Sequence, residues 1–251
     1  MGKYVRTVLN CFECQSSLGV PNLATAEYND SGVFYFTCSN GHQSVSILQQ
    51  DRFELLFEIA CNAINDGYYR EAVTSFASSL ERFYEYAINV ICNAREIPTS
   101  SFDPCWKAVK VSSERQLGAF VFLWLAAFAE SPGLLAGERA KFRNDVVHNG
   151  LIPTKDEAIR FGECIYGVIA PLRYRLSTQM AAACDRVLLR SLHARRPQNY
   201  DGPLATASMN SFTLACGDAV NLRPHLAVLA KQAEMVKIIS TNPVFAGPLG
   251  V

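Results

Sequence analysis

From Tyr69 onward the apolar residues Val73, Phe76, Leu80, Phe83, Ala87 and Val90 recur every three or four positions, the period of one buried helical face. Arg70, Glu71, Ser75, Ser78, Ser79, Arg82 and Glu85 lie between them, as a solvated face requires. A helix this long and amphipathic must be covered by others. The preceding set Phe53, Leu56, Ile59 and Ala63 supplies one, ended by Asp66-Gly67, because glycine tolerates the left-handed cap. Two antiparallel helices are therefore expected to pack against each other.

The helical pattern runs from about Gln50 to about Arg196. Pro98 and Pro104 bound a connector, and Leu117 to Ala129 form the most apolar helix, stopped by Ser131-Pro132-Gly133. A further helix runs from about Leu134 to His148. Thr154 with Glu157 is a capping box that opens the next, which turns Phe161, Ile165 and Ile169 inward and should kink or divide at Pro171. Beyond Arg196 the chain has turn and breaker residues without a period, then one helix over Leu222 to Ile239 and a poorly ordered tail, Pro243 to Val251.

With 49% hydrophobic residues the 251-residue chain can bury a domain-sized core and one smaller module. Lys+Arg of 23 equals Asp+Glu of 23, so no global field draws the chain to nucleic acid or lipid. Contact with RNA must then come from a local basic site. The apolar run Gln116 to Ala129 falls short of the roughly 20 residues that cross a bilayer and fits a buried core helix. No membrane span is expected, and no export signal is read in MGKYVRTVLN, so the expected location is the cytoplasm. In that compartment the nine cysteines are better explained by a metal site and buried thiols than by disulfides.

Residues 1 to about 49 lack helical periodicity and hold Cys11-Phe-Glu-Cys14 and Cys38-Ser-Asn-Gly-His42. The strand-like VFYFT ends just before Cys38. Three thiolates and an imidazole in two knuckles suit tetrahedral zinc, with Gly41 giving the second knuckle its turn. So short a module cannot bury enough surface to fold alone, and the ion would provide much of its stability. Four protein ligands leave no open position, so this zinc is structural, or serves recognition of a protein partner. Cys61, Cys92, Cys164 and Cys184 are read as small buried apolar residues.

Near the end of the Leu134 to His148 helix stands Arg143-Asn-Asp-Val-Val-His148. Asn144 and His148 share a helix face, so Asn144 can orient the imidazole, while Arg143 lies roughly 140° from His148. Arg143 must reach round, or meet a histidine across a subunit interface. Asp145 is read as a surface partner of Lys141. Arg173, Arg175, Arg190, Arg195 and Arg196 form either a phosphate-holding cluster or an ordinary solvated basic face. A histidine in the last turn is also favoured simply by the negative end of the helix dipole.

RNDVVH resembles the R-x4-6-H motif of HEPN domains, including the polar residue after the arginine. GYYREAVTSFASSLERFYEYAI resembles the first HEPN helix, and RNDVVHNGLIPTKDEAIRFGECIY the motif helix with the capped helix after it, so the resemblance covers roughly residues 50 to 182. It implies a metal-independent endoribonuclease, acting in stress or anti-phage defence, whose catalytic residues are Arg143, Asn144 and His148. A homodimer would form one composite cleft that cuts RNA through its own 2′-hydroxyl, with no cofactor needed for catalysis. The family also includes members that bind without cutting, which leaves a non-catalytic adaptor as the alternative. Some relatives carry a modified tyrosine two residues after the histidine, where this chain has Gly150. The expected fold is mainly α: a HEPN-like helical bundle (50–196) preceded by a small β-rich, zinc-ribbon-like module (1–49) and followed by a C-terminal extension (197–251).

Overall fold

The computed structural model describes residues 6–198, 200–202, 204–208 and 221–241, and the expected tail from Pro243 lies outside them. The chain is mainly helical, with its strands concentrated near the N-terminus. It divides into two units, one built on residues up to Gln50 together with 190–208 and 227–241, the other on Asp51–Leu189 with 221–226.

In the first unit β1 (Arg6–Asn10) and β2 (Leu23–Glu27) pair antiparallel around α1 (Phe12–Leu18). Strands β3 (Val33–Thr37) and β4 (Gln43–Leu48) form a second antiparallel hairpin, so the expected VFYFT strand is present. Helix α1, which the turn-rich sequence did not suggest, starts at Cys11 and ends at Gly19, whose φ of 67° is the left-handed cap. A second difference is β5 (Leu204–Ala207), which pairs parallel with β4 from within the aperiodic stretch past Arg196. It makes β4 a central strand, with Ser44 through Leu48 all buried.

In the second unit α2 (Arg52–Asn65) and α3 (Tyr69–Ala94) pack as the expected pair, joined by a turn at Gly67 with φ of 85°. Every apolar position expected of α3 is buried. On α2 the buried face is Phe53, Phe57, Ala60, Cys61 and Ile64, and Leu56, Ile59 and Ala63 are its half-buried flank. The choice between the two rows turns on aromatic packing: Phe57 lies 4.9 Å, ring to ring, from Phe76. Ser79, expected on the solvated face, is buried because its hydroxyl donates to the Phe53 carbonyl at 2.7 Å.

The Pro98 to Pro104 connector is instead mostly helical, α4 (Thr99–Val109), with Pro104 inside it. Helix α5 (Ser113–Phe128) buries only Gln116, Phe120 and Trp124 against α3, and Phe122 is 73% exposed, so it is not a fully buried core helix. Helix α6 (Gly137–His148) begins three residues later than expected from Leu134. Helix α7 (Lys155–Gln179) has the Thr154–Glu157 capping box and is not divided at Pro171, since Ile169, Ala170, Leu172 and Leu176 around the proline stay buried. Helices α8 (Ala181–Arg195) and α9 (Leu222–Thr241) follow, the latter as expected. Among the described residues no helix is long and apolar enough to cross a membrane.

Gly162 marks a close helix contact: a Cβ there would stand 2.6 Å from the Phe76 ring and 2.8 Å from Leu222, both fully buried. Gly162→Ala is expected to cost about 1–3 kcal/mol by overpacking. Gly167→Ala, on the same helix with nothing within 4 Å of a Cβ, should stabilise by about 0.5–1 kcal/mol. Urea denaturation of both variants checks this; equal effects would contradict the close approach.

Glu58 of α2 is buried, and its Oε2 has no hydrogen-bond partner among the described residues. Burial raises its carboxyl from 4.5 to about 7. The folded protein therefore holds a proton that the unfolded chain gives up between those values. Stability from this site is complete below pH 4.5 and lost as pH rises through about 7. Glu58→Gln should then gain up to about 3 kcal/mol over the wild type at pH 8 and little at pH 4.5. A gain independent of pH in chemical denaturation would contradict this account.

Candidate functional site

Two knuckles at the ends of the two hairpins of the first unit converge. Cys11 follows β1 and starts α1, its amide donating to the Asn22 carbonyl at 2.9 Å, and Cys14 lies one turn into that helix. The second knuckle is the β3–β4 turn, closed by the Cys38 amide on the His42 carbonyl at 3.0 Å and the Gly41 amide on the Cys38 carbonyl at 2.9 Å. Gly41 has a φ of 83°, a conformation that costs a Cβ-bearing residue energy.

The donor atoms of Cys11, Cys14, Cys38 and His42 all lie within 4.8 Å of one another. His42 Nδ1 stands 3.2 Å from Cys14 Sγ, 3.6 Å from Cys38 Sγ and 3.8 Å from Cys11 Sγ, and Cys14 and Cys38 are 3.7 Å apart. A tetrahedral ion with metal–sulfur and metal–nitrogen bonds of about 2.3 and 2.0 Å has ligand-to-ligand edges of about 3.8 and 3.5 Å. The spacings fit such an ion, and the four residues can hold one.

Their surroundings suit thiolates. Asn40 Nδ2 donates to Cys14 Sγ at 3.3 Å and Ser44 Oγ lies 3.6 Å from Cys11 Sγ, hydrogen bonds of the kind that orient metal ligands and spread their charge. Burial opposes the Cys11 thiolate, but the Cys14 amide, Ser44 and His42 outweigh it and lower the thiol to about 7. Burial and the neighbouring sulfurs push Cys14 up to about 11. Without a cation, one cluster of sulfurs does not ionise throughout. Sequence spacing points to the four candidate ligands, which the structure brings together; Ser44 and Asn40 are not singled out by it, although Asn40 sits inside the second knuckle.

In the helical unit Arg143, Asn144 and His148 lie on α6. Arg143 Nη2 donates to Glu81 Oε1 of α3 at 2.7 Å, with both side chains little more than a quarter exposed, and Nη1 donates to Asn144 Oδ1 at 3.0 Å. The helix thus points Arg143 toward α3. His148 and Asn144 are exposed, and among the described residues the His148 imidazole has no hydrogen bond. Among the described residues Asn144 makes no hydrogen bond to the imidazole; its oxygen instead accepts from the neighbouring guanidinium. Asp145 is not the partner of Lys141 either: its Oδ1 accepts from Asn149 Nδ2 at 2.9 Å in the turn that ends α6. Glu81 is the member of this group that sequence reasoning missed. It is one of several acids on the polar side of α3, and only tertiary packing distinguishes it.

The expected arginine cluster is largely occupied by its own chain. Arg173 pairs with Glu54 at 3.0 Å, Arg175 with Glu130 while lying over the Phe128 ring at 4.9 Å, and Arg195 donates to Ser191. Of the cysteines expected in helices, Cys61 and Cys92 are buried and Cys164 and Cys184 half-buried. Comparison of the chain with family models, with curated proteins and with solved structures gives no match.

Proposed function

We propose that the protein is a metal-independent endoribonuclease of HEPN type, whose helical unit dimerises to form the cleft and whose first unit is held together by structural zinc at Cys11, Cys14, Cys38 and His42. The observation that supports it is on α6: an exposed histidine at the helix end, its imidazole bound by no described residue, beside an arginine whose direction is set by Glu81 and Asn144. A neutral imidazole with a reference pKa of about 6.5 can take the proton of a ribose 2′-hydroxyl near neutral pH. The 2′-oxygen then forms a bond to phosphorus as the bond to the 5′-oxygen breaks, and the imidazolium gives its proton to that leaving oxygen, so the products are a 2′,3′-cyclic phosphate and a 5′-hydroxyl. Guanidinium charge stabilises the dianionic phosphorane.

Along α6 the two residues are roughly 140° apart, so one chain does not readily aim both at one phosphate. A two-fold dimer with adjacent copies of α6 resolves this, since it places each residue near its symmetry mate. The setting suggested by the resemblance is a cytoplasmic stress or anti-phage response. The test is cleavage of RNA in EDTA, with 2′,3′-cyclic phosphate ends and no cutting of DNA or 2′-O-methyl RNA; metal-dependent cutting, or none in any condition, would overturn the assignment.

The second reading is an adaptor that dimerises through the helical unit and binds a protein or nucleic acid through the zinc unit. The Arg143–Glu81 ion pair favours it, because that arginine is already neutralised within its own chain. It requires that the protein not cut RNA under any activating condition, and that His148→Ala therefore change nothing.

A further inference from the structure

We propose that Lys141 and Arg70 flank His148 as two phosphate contacts, making the outer side of α6 a track for the backbone of single-stranded RNA. The inference rests on the nuclease reading for its choice of RNA. Lys141, Asn144 and His148 are spaced by three and four residues, are all exposed, and so line one side of α6 over roughly 10 Å. At the end of that line Arg70, exposed on the first turn of α3, reaches across, its Nη2 lying 3.5 Å from the carbonyl of Val147, the residue before His148.

Of the cations on α6 and on the first turn of α3, these two are the ones without an ion pair among the described residues. Arg143 is compensated by Glu81, and Arg139 lies 3.8 Å from Glu138. Asp145, the acid on α6 nearest His148, is held by Asn149. Among the described residues, Lys141 and Arg70 have no carboxylate partner; Glu71, beside Arg70 in the chain, forms no pair with it. Only uncompensated cations gain the entropy of counterion release when a phosphate arrives. A chain without net charge needs such a local site to hold RNA at all, and the line passes the proton-transferring group. Asn144 lies between Lys141 and His148 on this side, its oxygen on Arg143, so its amide nitrogen remains available to donate.

The experiment measures binding of fluorescent 2′-O-methyl RNA, which cannot be cut through its 2′-position, to the full chain across a salt titration. Lys141→Gln and Arg70→Gln should each weaken binding about 5-fold near 0.1 M salt and lower the salt slope by about 0.7, and the double variant about 25-fold. Lys141→Arg and Arg70→Lys should restore both quantities. If Arg70 merely caps α6, Arg70→Gln will bind RNA like the wild type and the proposal fails. Arg160→Gln, an exposed cation on α7, should change nothing, and an equal loss there would also overturn the track. Wild-type protein that cuts RNA with unaltered Gln variants defeats the track alone. Binding that needs both cations in a protein that never cuts defeats the nuclease reading alone, and no binding at all defeats both.

Discussion

Protein carrying Cys11→Ser with Cys14→Ser is expected to emerge without zinc, where the wild type holds about one ion per chain, and with its first unit unfolded. Two of four ligands are lost, and serine hydroxyls do not replace thiolates around a borderline-soft ion. Structural zinc contributes apparent binding energies of about 10–16 kcal/mol in small modules, as large as the whole stability of an ordinary domain. Immediately around the knuckles the buried interior is Cys11, Cys14 and Cys38 with Phe36 against them, too little apolar surface to hold that end of the unit without the ion, whereas Leu9, Phe34, Val45, Ile47 and Leu48 are buried elsewhere in it. Hydrogen exchange should accelerate in β3 and β4, while the helical unit, with its aromatic core of Phe53, Phe76, Phe83, Phe120 and Phe161, keeps its helical signal. Acidification should release zinc from the wild type, because protons compete for every ligand and affinity falls as pH falls. Full zinc retention by the double variant would remove the metal assignment.

The other large effect is expected at His148. His148→Ala removes the proposed proton-transfer group and should slow RNA cleavage by about 10²–10⁴-fold, while binding to uncleavable RNA changes little. Arg143→Ala should lose comparable transition-state stabilisation. Because the His148 imidazole is exposed and makes no hydrogen bond among the described residues, its removal should leave the melting temperature unchanged, so lost activity cannot be blamed on unfolding. Arg143 differs, since its removal also strands Glu81, and Arg143→Lys separates charge from the fork geometry. Equal cleavage rates for wild type and His148→Ala would leave the adaptor reading in possession.

Local patterns in the sequence were sufficient for the α3 stripe, the Thr154–Glu157 cap and the two metal knuckles, because each is decided by residues a few positions apart. The α2 face was misplaced by one residue: Leu56 and Phe57 are both apolar, and only the ring of Phe76 decides which turns inward. Pro171 misled because a proline's lost amide is a local cost, whereas the packing of Ile169 and Leu172 that outweighs it is not visible locally. Strand β5 and the Arg143–Glu81 pair rest on partners far away in the chain, where no periodicity signals them. The same holds for Ser79, which looks solvated by pattern and is buried by a hydrogen bond across two helices.

The parallel pairing of β4 with β5 also sets a timetable. Gln49 and Thr206, bonded side chain to side chain at this seam, are 157 residues apart. A ribosome adding roughly 5–20 residues per second delivers the second strand on the order of ten seconds after the first. Throughout that interval one side of β4 is an unpaired strand edge open to pairing with other chains. The helical unit, whose α2–α3 and α3–α7 contacts need no residue from beyond 200, can fold during the wait. If the knuckles, complete at His42, capture zinc early, the ion would keep the nascent hairpin in register until its last strand arrives, and metal supply would then bear on the yield of newly made protein as well as on the stability of the finished one.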